Sequence, residues 1–178
     1  MQTRLVSLTA AMMLATSLCA IPAFSAGGGG GGGETISQCR KGLVWDKVHK
    51  KCVPPKQSML DDDSIYEAGH DLAMAGRYDE AIKVLTLAAN KKDPRILNYL
   101  GYSHRKAGRI LVGLGYYEEA LRQDPNYTLV REYLGEAHLQ RGDVAAAREQ
   151  LNEIEKRCGK SCSEYAELSA QIDAYLKG

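Results

Sequence analysis

From Asp62 to the C-terminus, apolar and small residues recur at helical spacing, and the pattern repeats itself. When Gly76, Gly108 and Gly142 are aligned, the same offsets bring Ala68, Leu100 and Leu134 into register, each followed by a glycine (Gly69, Gly101, Gly135). Leu72, His104 and His138 align as well, as do Ala81, Gly113 and Ala147; Leu85, Tyr117 and Leu151; and Ala88, Ala120 and Ile154. The steps are 32 and then 34 residues. Turns as short as Gly76-Arg-Tyr, Gly108-Arg-Ile and Gly142-Asp-Val fold one helix back on the next, so the pattern predicts three antiparallel helix pairs, over 62–93, 94–127 and 128–157. Gly69, Gly101 and Gly135 are expected to let the first helix of each pair approach the second closely.

The ends of these helices carry their own signals. Ser64 with Glu67, and Ser161 with Glu164, have capping-box spacing. Asp93-Pro94 and Asp124-Pro125 close the first two units, since proline disfavours helix in the residue before it. Gly113 and Gly115 fall inside the second helix of the middle unit, where two glycines cost roughly 1–2 kcal/mol of propensity; that unit is expected to be the softest. A repeat cannot bury its own apolar face, so the array needs caps. Residues 158–178 are predicted to supply one, with Tyr165, Leu168, Ile172 and Leu176 on one helical face.

The motifs Tyr78-Asp-Glu-Ala-Ile82, Tyr117-Glu-Glu-Ala-Leu121 with Asp124-Pro125-Asn126, and Tyr133-Leu-Gly-Glu-Ala137 resemble the tetratricopeptide repeat family over about residues 62–157. The sequence departs from that family where Ile65 stands in place of a large aromatic. The resemblance implies an all-α, right-handed α-hairpin solenoid of three units plus a capping helix. It also implies a concave groove lined by the first helix of each unit. By matching offsets the groove residues are Tyr66, His70 and Met74, then Arg95, Asn98, Tyr102, Arg105 and Lys106, then Glu132, Glu136 and Gln140, with Asp63, Ala73, Leu129 and Leu139 beside them. The resemblance places a protein or peptide partner there, with an acidic group expected over Arg95, Arg105 and Lys106. Family members that clamp a terminal carboxylate use positions held here by Tyr66, His70, Tyr99, Leu129 and Tyr133, so that activity is not expected. Leu111 and Val112 stand where the family has solvent-facing acids and form a possible second patch together with Trp45.

Upstream of the repeats, Arg4, the apolar run Leu5 to Ala20 and the small residues Ala23-Phe24-Ser25-Ala26 read as a signal peptide over 1–26. The glycines Gly27 to Gly33 open a flexible linker over 27–38. Cleavage removes Cys19 and leaves Cys39, Cys52, Cys158 and Cys162, an even set that argues for disulfides in an exported, periplasmic protein. Residues 39–53 are predicted to form a small hairpin closed by Cys39–Cys52. Leu43, Val44, Trp45 and Val48 are its strand formers, and a linker follows over 54–61. The hairpin is basic, with Arg40, Lys41, Lys47, Lys50, Lys51 and Lys56 against Asp46. Cys158 and Cys162 would staple the third unit to its cap.

Charge and chemistry narrow the function. Without Arg4 the chain has as many basic as acidic residues, which gives no general attraction to nucleic acid or to an anionic membrane. Gly159-Lys160-Ser161 lacks the upstream glycine and strand of a phosphate loop. His104 and His138 are read as half-buried histidines rather than ligands. No zinc spacing, no cofactor motif and no nucleophile–base pair is apparent, so no metal site and no enzyme is expected. The expected function is a non-catalytic adaptor of the bacterial envelope. The alternatives are polymer binding through an exposed Trp45 loop and a thiol–disulfide accessory role for Cys158 and Cys162.

Overall fold

Three glycine turns set the architecture. Gly76, Gly108 and Gly142 adopt φ of +75°, +83° and +78°, and at each the next amide reaches back to a carbonyl five residues earlier. The bonds are Arg77 N to Leu72 O, Arg109 N to His104 O and Asp143 N to His138 O, each 2.9 Å. A left-handed residue at that place ends a helix and redirects the chain. The computed structural model describes residues 39–178, except 41, 47 and 56–59. The predicted signal peptide and glycine linker, with Lys41, Lys47 and Lys56, lie outside the described residues.

The helices are α1 (Asp62–Met74), α2 (Tyr78–Leu85), α3 (Pro94–Lys106), α4 (Ile110–Gln123), α5 (Thr128–Gln140), α6 (Val144–Cys158) and α7 (Ser163–Lys177). They pair as α1/α2, α3/α4 and α5/α6, and each pair stacks on the next. Helix α7 packs on α5 and α6 as α3 packs on α1 and α2, so it takes the place of the first helix of a fourth unit. The core runs the length of the stack, from Ile65, Leu72 and Leu85 through Leu97, Leu114 and Leu134 to Ile154, Leu168 and Ile172.

In the middle unit the two helix backbones themselves come together. A Cβ on Gly101 would stand 2.7 Å from the Tyr117 ring and 3.1 Å from the Gly113 carbonyl. One on Gly113 would stand 2.8 Å from the Gly101 carbonyl and 3.0 Å from Arg105 Cβ. Gly113 is therefore what lets α4 form against α3, and α4 runs unbroken for 14 residues. The short helix is instead α2, at 8 residues. The Asp62 carboxylate accepts from Ala89 N (2.6 Å) and Asn90 N (2.8 Å), which holds the chain after α2 in turns and leaves Ala88 buried outside any helix. The third unit departs from expectation too. The space beside Gly135 is closed by Leu168 of α7, which a Cβ there would approach to 2.6 Å, while Leu151 stays half-buried.

Neither predicted capping box forms. Asp61 caps α1 by accepting from Ser64 N at 2.7 Å, which leaves Ser64 inside the helix and puts Asp62 and Asp63 at its positive end. Helix α7 begins after Cys162, with no side-chain cap bond, so Ser161 lies outside it.

The N-terminal hairpin pairs β1 (Val44–Asp46) with β2 (Lys51–Val53) in the register Val44↔Val53, Trp45↔Cys52. The Cys39 and Cys52 sulfurs are at disulfide distance, as are those of Cys158 and Cys162. Asp46 accepts from the amides of Val48 and His49 and from the His49 ring, which makes Val48 a turn residue rather than a strand residue. Val44 is buried with Leu72 and Val84, and Trp45 packs half-buried against the same cluster. Gly42 N donates to Glu80 at 3.1 Å. The hairpin thus caps the first unit, and Trp45 is not the exposed ring that polymer binding would need. Leu111 and Val112 remain 69% and 46% exposed and are not covered by it.

Two glycines of adjacent helices give opposite expectations. Gly115 has open space where a Cβ would go, so Gly115→Ala should stabilise the fold by up to about 1 kcal/mol. Gly101→Ala should destabilise it by about 1–3 kcal/mol through overpacking. Urea midpoints at constant m-value check both; equal shifts of one sign would contradict the packing described.

Candidate binding groove

Three helices face one side of the stack, and their equivalent positions form rows across it. One row is Tyr66, Asn98 and Glu132; the next is His70, Tyr102 and Glu136; a third is Met74, Lys106 and Gln140. Within α3 the spacing of Arg95, Asn98, Tyr102 and Arg105 puts all four on one helical stripe. The aromatic members touch in series. Tyr66 and Tyr99 have ring centroids 5.8 Å apart, His70 and Tyr99 4.8 Å, Tyr99 and Tyr102 6.1 Å, and Tyr102 and Tyr133 5.1 Å. The result is a strip of rings running from the first unit to the third. Burial raises the phenols of Tyr66, Tyr99, Tyr102 and Tyr133, so each stays a neutral hydroxyl. Tyr99 and Tyr133 were legible from their offsets; their part in this strip was not.

The cations expected to meet an acidic partner are mostly engaged already. The Arg105 side chain is fully buried. Its Nη2 lies 2.5 Å from Glu136 Oε2, an ion-pair contact rather than a well-angled hydrogen bond, and its Nε donates to the Tyr117 hydroxyl at 3.2 Å. It also lies over the Tyr102 and Tyr133 rings, at 5.5 and 5.7 Å. Burial alone would depress its pKa, but Tyr117 and Glu136 more than offset this and raise it. Arg105 is therefore a piece of the groove floor, not of its surface. Arg95 is gripped by Asp93 through Nε and Nη2, with Asp63 2.8 Å from Nη2, and covers the Tyr66 ring at 4.9 Å. Those partners raise its pKa further. Lys106 is exposed, 5.5 Å from the Tyr102 ring.

Two more predicted groove residues are buried. Asn98 has no exposure, and neither atom of its amide has a hydrogen-bond partner among the described residues. Glu132 is 8% exposed. Burial pushes its carboxyl up to about 7, helped by Glu136, Glu164 and Glu167 and opposed by Arg105. Tyr66, His70, Met74, Tyr102, Lys106, Glu136 and Gln140 keep partial or full exposure on this face, as expected.

The other candidates resolve in simpler ways. His104 is half-buried, stacks on Tyr116 at 5.4 Å, and accepts from Arg109 at 2.9 Å. His138 is also half-buried, and its Nδ1 has no partner among the described residues. Cys158, Cys162 and Glu164 bring three potential metal-ligand atoms within 4.8 Å, but sulfurs at disulfide distance are not thiolate donors.

The tetratricopeptide repeat family model matches residues 66–128 and 100–161. No curated protein sequence matches the chain. Among solved structures, the first such domain of Spaghetti (RPAP3) bound to the HSP90 peptide SRMEEVD is similar at 18% identity, covering 66% of this chain and 94% of that one, with a TM-score of 0.57. The Yersinia enterocolitica type III secretion chaperone SycD, in complex with a peptide of the translocator YopD, is 21% identical over 65% and 88% of the two chains, TM-score 0.54. PcrH in complex with the chaperone binding region of PopD is 22% identical over 68% and 97%, TM-score 0.57. At these identities the likeness is one of fold: a right-handed α-hairpin solenoid.

Glu132 makes the fold pH-sensitive. Its carboxyl rises from 4.5 to about 7 on folding, so its favourable contribution is complete below pH 4.5 and is lost as pH rises through 7. The loss is on the order of 1–3 kcal/mol in a coupled cluster. Glu132→Gln should gain stability relative to the wild type across that window, as read by urea midpoints at several pH values; parallel profiles would overturn the assignment.

Proposed function

Because the chain belongs to the tetratricopeptide repeat family, we propose that it is a non-catalytic protein-interaction scaffold that holds a partner segment in its concave groove. One observation carries this reading: Tyr66, Tyr102 and Tyr133, one in each unit, keep part of their rings exposed on the face formed by α1, α3 and α5, and the buried Tyr99 joins the first of them to the second. Large rings with few rotatable bonds and a polar tip suit peptide contact at low entropic cost. Three structures with this fold are complexes with peptide segments, which supports the same use here.

The setting we propose is the bacterial envelope, most simply the periplasm. The N-terminal sequence supports export, and sulfurs at disulfide distance in Cys39/Cys52 and Cys158/Cys162 suit an oxidising compartment. Among the described residues no helix is long and apolar enough to cross a membrane. The partner is a protein; neither nucleic acid nor a cofactor is invoked.

The test compares two surfaces by crosslinking and affinity purification in the native cell. Tyr66→Ser/Tyr102→Ser should lose about tenfold of the recovered partner, a loss of ~1.4 kcal/mol, with unchanged circular dichroism. Leu111→Ser/Val112→Ser, on α4, should lose none. Full recovery by the groove variant would end the proposal.

A further inference from the structure

The groove's charges, once paired off, leave one sign over. Arg95 belongs to Asp93 and Asp63, and Arg105 to Glu136. At the third-unit end, Glu132 and Glu136 of α5 are joined by Glu164 and Glu167 of α7, and the cation acting against them is the already engaged Arg105. Glu164 accepts from Thr128 at 3.1 Å, which holds its carboxylate in place without neutralising it, and Glu136 accepts from Gln171 at 2.6 Å besides its ion pair with Arg105. Glu167 is exposed. Lys106 stands in the middle unit, 5.5 Å from the Tyr102 ring.

A second observation is independent of charge. Asn98 is wholly buried on the groove-facing stripe of α3, and neither its oxygen nor its nitrogen has a partner among the described residues. An unmet buried amide costs about 1–3 kcal/mol. Glu132 occupies the equivalent position one unit later and is likewise without a hydrogen bond or ion pair among the described residues. Neighbouring units therefore hold an unused donor and acceptor beside an unused carboxylate. A peptide bond satisfies the first, and a basic side chain the second.

We infer that the groove's occupant is a basic peptide segment. Its backbone crosses the tyrosine strip at Asn98, and its lysine or arginine side chains meet Glu132, Glu164 and Glu167. This rests on the groove reading above and reverses the sign of the partner that the sequence suggests. Among the described groove residues an acidic segment finds Lys106 unengaged, and it meets the carboxylates of Glu132, Glu164 and Glu167 at the third-unit end. Arginine suits the site best, since it pairs with carboxylates and stacks on tyrosine with the same group.

The probe is a phage-displayed random-peptide library panned on the intact chain, with binders kept only if Tyr66→Ser/Tyr102→Ser weakens them. The kept peptides should be enriched in lysine and arginine. Their affinity should fall about tenfold in Glu132→Gln/Glu164→Gln/Glu167→Gln, and should fall with rising salt. Asn98→Leu should raise the urea midpoint while weakening the same peptides, a pairing of effects that a purely structural asparagine would not give. Groove-dependent binders that are neutral or acidic overturn the basic segment but leave the groove standing. Binders indifferent to the tyrosine substitutions, or no binders, overturn both.

Discussion

An arginine with no exposed side-chain surface must be neutralised from within, and in this fold that requirement ties the middle unit to its neighbour. Arg105 reaches Tyr117 of its own hairpin and Glu136 of the next. It fits because Gly101 and Gly113 let α3 and α4 come together along the arginine's stem. Had either glycine a side chain, the helices would part and the guanidinium would lose its enclosure. A charge taken out of water is tolerable only with its partner in place. The pair therefore favours one arrangement of α3, α4 and α5 over alternatives in which these helices slide.

The same pairing shapes what the groove offers. Arg105 lies beneath the rings of Tyr102 and Tyr133, so a positive floor supports an aromatic surface. Its charge is consumed by Glu136, which leaves Glu132 at the boundary of α5 and α7 with only a weak pull from Arg105 and its carboxyl pushed up to about 7. The cap α7 adds Glu164 and Glu167 to that end. On the proposed reading, structure and recognition share one electrostatic balance: the pair that holds the second unit to the third sets the sign of the charge left on this face.

Most of the fold was legible because the repeat speaks through glycine and proline. Gly76, Gly108 and Gly142 are placed where only a left-handed residue can turn the chain, and Pro94 can only sit in the first turn of a helix. The local ends were less legible. Asp61 outcompeted Ser64 as a cap because the polar run Asp61–Asp62–Asp63 offers several acceptors, and choosing among them depends on where Ile65 must be buried. The site was half legible. Offsets marked which residues share the concave face, but Arg105, Asn98 and Glu132 look on paper like solvent-facing polar positions. That Arg105 is buried follows from Gly113 across the interface and Glu136 a unit away, neither of which is adjacent in the chain. Leu168 closing over Gly135 was hidden for the same reason, since it belongs to the cap and not to the repeat.

A double-mutant cycle on Arg105 and Glu136 reaches the heart of this account. Arg105→Met and Glu136→Gln are made singly and together, and stability is read by urea denaturation at neutral pH. Each single change should be costly, with Arg105 left buried and unpaired in the second case, and the double variant should recover about 1–3 kcal/mol relative to the sum. Strict additivity would show that the two residues do not depend on each other and would contradict the account.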